Sequence, residues 1–363
     1  MAGREHVKIL LKGVEAWNHW RKENPDITPD LSGLNIADLA GALADAGGKP
    51  NLSGIDLHKA DLERAHLPGI ILAKADLREA ILAKADLSEA VLVEAQMQDA
   101  IMEQGCLDRA NLHRARLQKA LLLSASLQDA DLSFACFEGA HLNEAHLEKA
   151  RLLEANCEGA QLIDARLDQA VLWRTKFQGA KLQGAHLEGA DLRASNLENA
   201  NVTSIHFDRW GKYKGIRVNT CHGSQAFRRH AMDQDFLEEF RAKSWLNRII
   251  YAVWLVTCDC GRSLLLWAGW SVILAGLFTL IFHSLGQESF SLLADHQGNE
   301  LLPWSWNTMC YYSVVTFTTL GFGDVTPITW WAKFWVMAEV ILGYVMLGGL
   351  ISIFANKLAR RSG

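Results

Sequence analysis

The sequence predicts two unlike parts, an all-β solenoid followed by an α-helical membrane domain. Three observations support this: a large apolar residue recurs every five positions from 52 to 207, two long apolar segments lie beyond residue 262, and a glycine-alternating motif lies between those segments. A helix repeats about every 3.6 residues and a strand about every 2, so neither has the five-residue period. The two parts are therefore expected to fold by different rules.

The composition excludes several classes of protein. The 363 residues are 50% hydrophobic and 21% charged, with a formal net charge of −5. These values exclude a wholly disordered chain and a strongly basic nucleic-acid binder. The seven cysteines have no paired spacing, so we expect reduced thiols rather than a disulfide framework or a cysteine metal site.

The first 49 residues are expected to form a helix and a capping segment. Helical apolar spacing predicts the helix from residue 10 to 21. Leu34 and Leu39 follow the five-residue spacing but are out of register with the later repeat, and residues 40–49 are predicted to be a loop. We expect this segment to cover the open end of the solenoid, where a sheet edge would otherwise be exposed.

Residues 50–207 carry the five-residue repeat. Of its 32 large positions, 25 are leucine, and the residue two positions earlier is usually alanine. In a chain that turns a corner every five residues, the large side chain would fill the axis and the small one would let the backbone approach it. The other three positions vary among polar residues and are expected to face water.

This pattern resembles the pentapeptide-repeat family, whose unit is written A(D/N)LXX. The resemblance implies a right-handed quadrilateral β-helix with four units per coil, so the 32 units would make about eight coils. Some members of that family mimic DNA and bind topoisomerases. The repeat here has 16 Lys and Arg against 23 Asp and Glu. That acidic excess is modest, so mimicry is the weaker interpretation, a cytoplasmic protein partner remains open, and no nucleic acid is expected as a ligand.

Residues 208–262 are predicted to be a linker. The segments 236–241 and 245–254 are predicted helices, and the second is amphipathic, with Trp and Arg side chains. It either lies in a membrane interface or packs as an ordinary connector.

Residues 263–361 are predicted to be the membrane domain. The 20 residues from 263 to 282 carry no charge, which is the length that crosses the hydrocarbon core of a bilayer. The alternative, a pair of buried helices in a soluble core, is weaker because such long uncharged stretches are rare there. The predicted elements are an outer helix 263–283, a turret 284–303, a short helix 305–317 and an inner helix 331–357.

The motif between the two spans is TTLGFGD, residues 318–324. Dehydrating a potassium ion requires a ring of oxygens at fixed spacing, which backbone carbonyls supply when they all point to one axis. Such a backbone needs residues that tolerate unusual dihedral angles, and the alternating Gly321 and Gly323 fit this need. The hydroxyl of Thr319 would add one more oxygen.

This arrangement resembles the pore domain of two-transmembrane potassium channels over residues 263–361. The resemblance implies a homotetramer in a lipid bilayer that conducts potassium ions, without a cofactor and without enzymatic activity. The selectivity filter that it implies is Thr319, Leu320, Gly321, Phe322 and Gly323, with potassium bound at the first four and Asp324 at the outer mouth.

Two positions depart from the pattern of that family. Phe322 replaces the commoner tyrosine, and Val315 stands where some channels place a buried carboxylate. The resemblance implies potassium selectivity, but these changes leave its strictness over sodium open.

The inner helix supplies the remaining candidate residues. The resemblance implies a gating hinge at Gly343, and helical spacing from it predicts a pore-lining stripe: Leu347, Ile351 and Ala355. Glu339 is an intramembrane carboxylate, and such groups are commonly functional. We favour a structural role for it, in which it accepts a hydrogen bond from Tyr312 or Thr316 behind the filter and supports it.

The distribution of lysine and arginine predicts the orientation. Basic residues flank the spans within 241–262 and 357–361, whereas 284–303 contains none. By the positive-inside rule, both termini would be cytoplasmic, which agrees with the absence of an apolar leader. The chain is thus expected to cross the cell (inner) membrane more than once.

The leading hypothesis is a homotetrameric, potassium-selective ion channel whose cytoplasmic solenoid modulates gating or docks a partner. Two alternatives stay open: a membrane-anchored pentapeptide-repeat interaction module, and a non-selective cation channel. The sequence has no arginine-rich voltage sensor, nucleotide loop or calcium loop, so it does not indicate the gating stimulus.

Overall fold

The computed structural model describes residues 3–40, 43, 49–261, 263–292 and 302–361. The chain forms two compact units, Met1–Glu239 and Phe240–Gly363. Most of the predicted 40–49 loop, Arg262, turret residues 293–301 and the basic side chains after residue 355 lie outside the described residues.

The first unit is built on parallel bridges between residues 20 positions apart. The ladder runs from the pair Asn51 and Ile71 to the pair His186 and His206. A register of 20 residues means four five-residue units per coil, as the resemblance to pentapeptide-repeat proteins implies. Backbone hydrogen bonds such as Leu57 N to Asp76 O, at 2.7 Å, connect each coil to the next.

Every corner of a coil is a tight turn. At a typical corner the Ala60 N–H donates to the Leu57 carbonyl at 3.0 Å, and Lys59, the third turn residue, has a φ of 59°. A positive φ at that position is what a type II turn requires. Most residues there are not glycine, so the ladder holds side chains in the left-handed region at many corners.

The inward positions of the repeat are confirmed. The recurring leucines and alanines from Leu52 to Ala200 are all 2% exposed or less, and together they form one continuous core. The difference in size between the leucine and alanine positions of each five-residue unit is therefore a packing requirement. The small side chain allows the backbone to lie close to the column of leucines.

The helices in the described part of the N-terminal segment are α1 (Arg4–Leu10), α2 (Val14–Glu23) and α3 (Ile36–Ala40). The prediction of one helix from 10 to 21 is wrong at its start, because Gly13 has a φ of 102° and separates α1 from α2. Bridges from Asp30 to Asp61 and from Asn35 to His66 place the out-of-register segment directly on the first coil.

Side chains of α2 bind the backbone at the open edge of the first coil. Trp17 Nε1 donates to the Asp56 carbonyl at 2.6 Å, and the Arg21 guanidinium donates to the His58 carbonyl at 2.9 Å. Both side chains are buried. The edge carbonyls are thus satisfied without another coil.

The repeat predicts that the solenoid ends at residue 207. In the structure it continues to residue 223. Asp191 bridges Lys212, and the strands β1 (Asn201–Val202) and β2 (His222–Gly223) pair in parallel. The sequence signal is lost because the register lengthens from 20 to 21 residues, which places Tyr213 and Val218 at the inward positions.

The helix α4 (Gln225–Lys243) closes this end. The Asp235 carboxylate accepts from Gly215 N at 2.6 Å, and the Glu238 carboxylate accepts from Tyr213 N at 3.1 Å. Carboxylates therefore satisfy edge N–H groups at one end, and N–H donors satisfy edge carbonyls at the other.

The second unit consists of helices and one short pair of strands. Its helices are α5 (Trp245–Cys258), α6 (Leu264–Ser284), α7 (Trp306–Phe317) and α8 (Trp330–Arg361), and its strands are β3 (Phe290–Leu292) and β4 (Val325–Pro327). A 3-10 turn at Gln287–Ser289 precedes β3. The helices α6, α7 and α8 pack on one another around an aromatic core that includes Phe282 and Tyr312.

Candidate functional site

The candidate site begins at the C-terminal end of α7. Ser305 caps the start of this helix, where its side chain accepts from Thr308 N at 3.2 Å. The helix ends at Phe317, and the TTLGFGD segment continues from its negative dipole end. A cation held just beyond this end would be stabilised by the carbonyl groups of the last helical turn.

The backbone of this segment alternates in conformation. Thr319, Gly321 and Gly323 have φ values of 63°, 54° and 77°, and the two residues between them do not have positive φ. In a strand, successive carbonyls point in opposite directions, but this alternation turns successive carbonyls toward one side. Two of the three positions are glycine, the residue that adopts a positive φ without steric cost.

Hydrogen bonds to α7 fix the inner end of the segment. Thr319 N donates to the Thr316 carbonyl and Leu320 N donates to the Val315 carbonyl, both at 3.0 Å. Val315 and Thr316 therefore accept hydrogen bonds from this segment through their backbone carbonyls. The role of Thr316 as a filter support stays a prediction.

The outer end is held by a feature that the sequence did not indicate. The strand β4, which follows Asp324, pairs antiparallel with β3, so that Phe290 lies opposite Pro327. The Tyr311 hydroxyl of α7 interacts electrostatically with the Asp324 carboxylate. A tyrosine on the helix is therefore near Asp324, although residue 322 of the loop is Phe.

Glu339 of α8 is completely buried behind this segment. The Ser313 hydroxyl lies 2.5 Å from Glu339 Oε1 and 2.8 Å from the Ala275 carbonyl of α6. The hydrogen bond of Glu339 is therefore with Ser313 and not with the predicted partners Tyr312 or Thr316. One hydroxyl thus connects the three helices.

Gly343 contacts the end of α7 directly. A Cβ at this position would lie 2.2 Å from the Phe317 carbonyl oxygen. Gly349 is equally close to another element, since a Cβ there would lie 2.2 Å from the Trp267 ring, whereas Gly348 has open space. The helix α8 is continuous through all three glycines. In this structure Gly343 therefore serves close packing beneath the filter segment.

The stripe that follows Gly343 along α8 is exposed in the single chain. Leu347 is 47% exposed and Ile351 61% exposed, and Ala355 is exposed as well. A cavity of about 290 Å³ lies beside Gly343 and Leu347, under Thr318. A second cavity of similar volume lies between the filter segment and α8, lined by Tyr312, Thr316, Thr319 and Phe322, among others.

Two helices of this unit have the length and composition of membrane spans. They are Leu264–Ser284 and Trp330–Ala355, with mean hydropathies of 2.1 and 2.0. Only 11% and 22% of their most apolar windows are buried within the chain. Core helices of a soluble protein would be mostly buried, so these exposed surfaces indicate a membrane protein.

Comparison with known proteins assigns both parts. A family model described as "Ion channel" matches residues 249–360, and a model described as "Pentapeptide repeats" matches residues 51–209 in eight copies. The chain therefore combines a segment that matches the pentapeptide-repeat family with a segment that matches the ion-channel family.

Two curated plant proteins are similar to the channel segment. "Two-pore potassium channel 5" of Arabidopsis thaliana is 34% identical over 88 residues, which are 24% of this chain and 21% of that protein. "Two pore potassium channel b" of Oryza sativa subsp. japonica is 32% identical over 88 residues, 24% of this chain and 25% of that protein. The chain thus spans a quarter or less of the length of these relatives.

Among solved structures, the chain is similar to HetL, a pentapeptide repeat protein of the cyanobacterium Nostoc sp. strain PCC 7120. The identity is 34%, covering 47% of this chain and 86% of HetL, with a TM-score of 0.29.

Proposed function

We propose that this protein is one subunit of a homotetrameric, potassium-selective ion channel. The observation that carries the proposal is the alternating backbone at Thr319, Gly321 and Gly323. One chain provides a single column of carbonyls, which is open on one side. Four columns around one axis would replace the hydration shell of a potassium ion.

The exposed side chains of the filter segment support assembly from several copies. Leu320 is 63% exposed and Phe322 is 64% exposed in the single chain, on either side of Gly321. Large apolar side chains that project from a rigid loop are stable when neighbours cover them. In the proposed tetramer they pack against adjacent copies while the carbonyls face the axis.

The conduction path continues along α8. The exposed stripe of Leu347, Ile351 and Ala355 follows Gly343 at intervals of one helical turn, and we assign it to the lining of the cavity below the filter. In this proposal Gly343 remains the gating hinge, although its close contact with the Phe317 carbonyl also ties any bend of α8 to the base of the filter.

Glu339 and Ser313 act as filter support in this proposal. Their hydrogen bond joins the inner helix to the filter-bearing helix, and the same hydroxyl reaches the Ala275 carbonyl on the outer helix. Movement of α8 would therefore be transmitted to α7 through a buried contact.

The orientation and the role of the solenoid follow from charge and connectivity. Arg241, Lys243 and Arg248 precede the first span, so we place both termini in the cytoplasm. The solenoid would then lie inside the cell, joined to the pore through α4 and α5, where it modulates opening or docks a protein partner.

The test is recording from the purified full-length chain in planar bilayers, with potassium on one side and sodium on the other. The expected result is a reversal potential set by potassium, together with block by barium. Equal permeability to the two ions would establish a non-selective cation channel instead. A folded, membrane-inserted protein that shows no conductance would favour the alternative function, a membrane-anchored interaction module.

A further inference from the structure

We propose that the solenoid binds a divalent transition-metal ion of the zinc type at His186, Glu188 and His206. These residues lie on one face of the solenoid near its C-terminal end, outside the residues assigned to the ion path. Their ligand atoms all lie within 4.8 Å of one another.

The coil register brings the two histidines together. His186 and His206 are bridge partners in neighbouring coils, and their rings stack with centroids 4.2 Å apart and an interplanar angle of 4°. Glu188 lies two residues after His186 on the same coil, so its side chain projects from the same face. The spacing of the ligands is thus built into the backbone ladder.

The carboxylate has an unsatisfied oxygen. Glu188 Oε2 is buried and has no hydrogen-bond partner among the described residues, and it lies 3.7 Å from His186 Nδ1. A buried carboxylate oxygen without a donor is unfavourable, and a bound cation would remove that penalty.

The preceding coils provide an internal comparison. His146 and Glu148 occupy the equivalent positions, but the residue in the next coil is Arg166, whose Nε lies 3.0 Å from Glu148 Oε1. There a guanidinium supplies a positive charge next to Glu148, although Glu148 Oε2 is left without a partner among the described residues, as Glu188 Oε2 is. At the proposed site a histidine replaces the arginine, so a group that can bind a metal ion replaces one that cannot.

The donor set selects the class of ion. Two neutral imidazoles and one carboxylate suit zinc and its neighbours in the first transition series, and they leave one position open for water. Ligand atoms around a tetrahedral zinc lie about 3.3 Å apart, which follows from bonds of about 2.0–2.1 Å. Binding therefore requires a small contraction and a turn of the stacked rings, because one ion cannot lie in the plane of two parallel rings.

The surroundings allow this turn while holding the backbone. His186 and Glu188 are only partly buried, and His206 is exposed. The backbone beyond His206 is fixed, since Asp208 Oδ1 accepts from Gly189 N, Trp210 N and Gly211 N at 3.0–3.1 Å. A bound ion would link two neighbouring coils near the place where the repeat register changes.

The experiment is a titration of the full-length protein in detergent with Co²⁺, followed by Zn²⁺ displacement. Visible absorption reports the ligands of Co²⁺, and calorimetry with Zn²⁺ gives the affinity. We expect one ion per chain with nitrogen and oxygen ligands. His206→Arg, which reproduces the arrangement at Arg166, and His186→Ala should each weaken binding by about tenfold or more, because even indirect contributors typically change metal affinity about 10–100-fold.

The matched control is His146→Ala, which removes a histidine from the same face and should leave the affinity unchanged. Zn²⁺ should raise the melting temperature of the wild type and of this control, but not of His206→Arg. A thiolate absorption band from Co²⁺ would place the ion on cysteines and overturn the proposal. So would unchanged affinity in the two site variants, or the absence of binding to the wild type.

Discussion

The two units of the chain differ in how far they bury their apolar side chains. In the solenoid, Leu127 and the other leucines of its column are buried by the coils above and below. In the helical unit, Leu265 is 87% exposed, Val272 is 72% exposed, and Phe322 in the filter segment is 64% exposed. The solenoid thus buries its apolar side chains within one chain, whereas the helical unit leaves large apolar side chains exposed on a single chain, which in the proposed channel would contact lipid and adjacent copies.

Strained backbone is also used differently in the two units. The solenoid repeats a positive φ at most corners, where hydrogen bonds to both neighbouring coils support each turn. The filter segment has its positive φ values within five residues, and the second half of this segment lacks a comparable ladder. Substitutions in the filter should therefore change function, and substitutions in the solenoid should change stability.

The largest effect is expected at the filter glycines. Gly323 has a φ of 77°. A residue with a Cβ is destabilised by about 1–2 kcal/mol in the left-handed region. In a ring of four subunits this cost would arise four times. We expect Gly323→Ala to abolish potassium flux into liposomes. Gly348→Ala is the control, because that position has helical backbone and open space. Normal flux through the Gly323 variant would contradict the assignment of this segment.

The next effect concerns the solenoid core. Leu127 is completely buried, so Leu127→Lys places an unpaired charge in the core and should exceed the roughly 2–5 kcal/mol typical of truncating a buried leucine. Circular dichroism and hydrogen exchange of the full chain should show several coils unfolded. Gln128→Lys, at the adjacent outward position, should be tolerated, and equal damage from both would mean that the inward register is wrong.

A smaller effect is expected where α8 meets the filter. The Cβ introduced by Gly343→Ala would clash with the Phe317 carbonyl, and such overpacking typically costs about 1–3 kcal/mol. We expect reduced conductance and a lower melting temperature of the channel. Gly348→Ala should be neutral or slightly stabilising. If Gly343 were only a hinge, its alanine variant would alter opening without lowering the melting temperature.

The N-terminal cap should contribute locally. Arg21 donates to the carbonyls of Ile27 and His58, at 2.7 and 2.9 Å, so Arg21→Met leaves two acceptors unsatisfied. The expected cost is about 1–3 kcal/mol, confined to the first coils. Faster hydrogen exchange of residues 54–66 in Arg21→Met than in the wild type would show this local destabilisation. The exposed Lys22→Met is the matched control, and uniform exchange throughout the solenoid would argue against a local cap.

The smallest effect concerns pH. Burial alone raises the pKa of Asp191, but hydrogen bonds from Arg193 and the nearby Lys212 outweigh it and hold that pKa below its usual range. This stabilisation is present above about pH 4, where aspartate is ionised in the unfolded chain, and is lost as the pH falls below that value.

Asp191→Asn should therefore lower the melting temperature of the solenoid by an amount equivalent to about 1 kcal/mol at neutral pH, and by less in acid. The exposed Asp129→Asn is the matched control for the loss of a surface carboxylate. A constant difference between wild type and Asp191→Asn from pH 7 to pH 3 would contradict the ion pair.

The sequence alone determined the features that depend on periodicity and on local backbone requirements. The five-residue period fixes which side chains point inward, because a coil that turns at each unit must bury the same two positions every time. The glycines at 321 and 323 mark the candidate filter segment for the same kind of reason, since glycine adopts a positive φ without steric cost. The apolar spans follow from length and the absence of charge.

The tertiary structure decided everything that depends on contacts between residues distant in sequence. The shift to a 21-residue register, the caps supplied by α2 and α4, and the choice of Ser313 as the partner of Glu339 leave no periodic trace in the sequence. Each is set by which backbone group or side chain remains unsatisfied once neighbouring elements have packed. The pairing of His186 with His206 is of the same kind, because only the coil register brings together two side chains that are 20 residues apart.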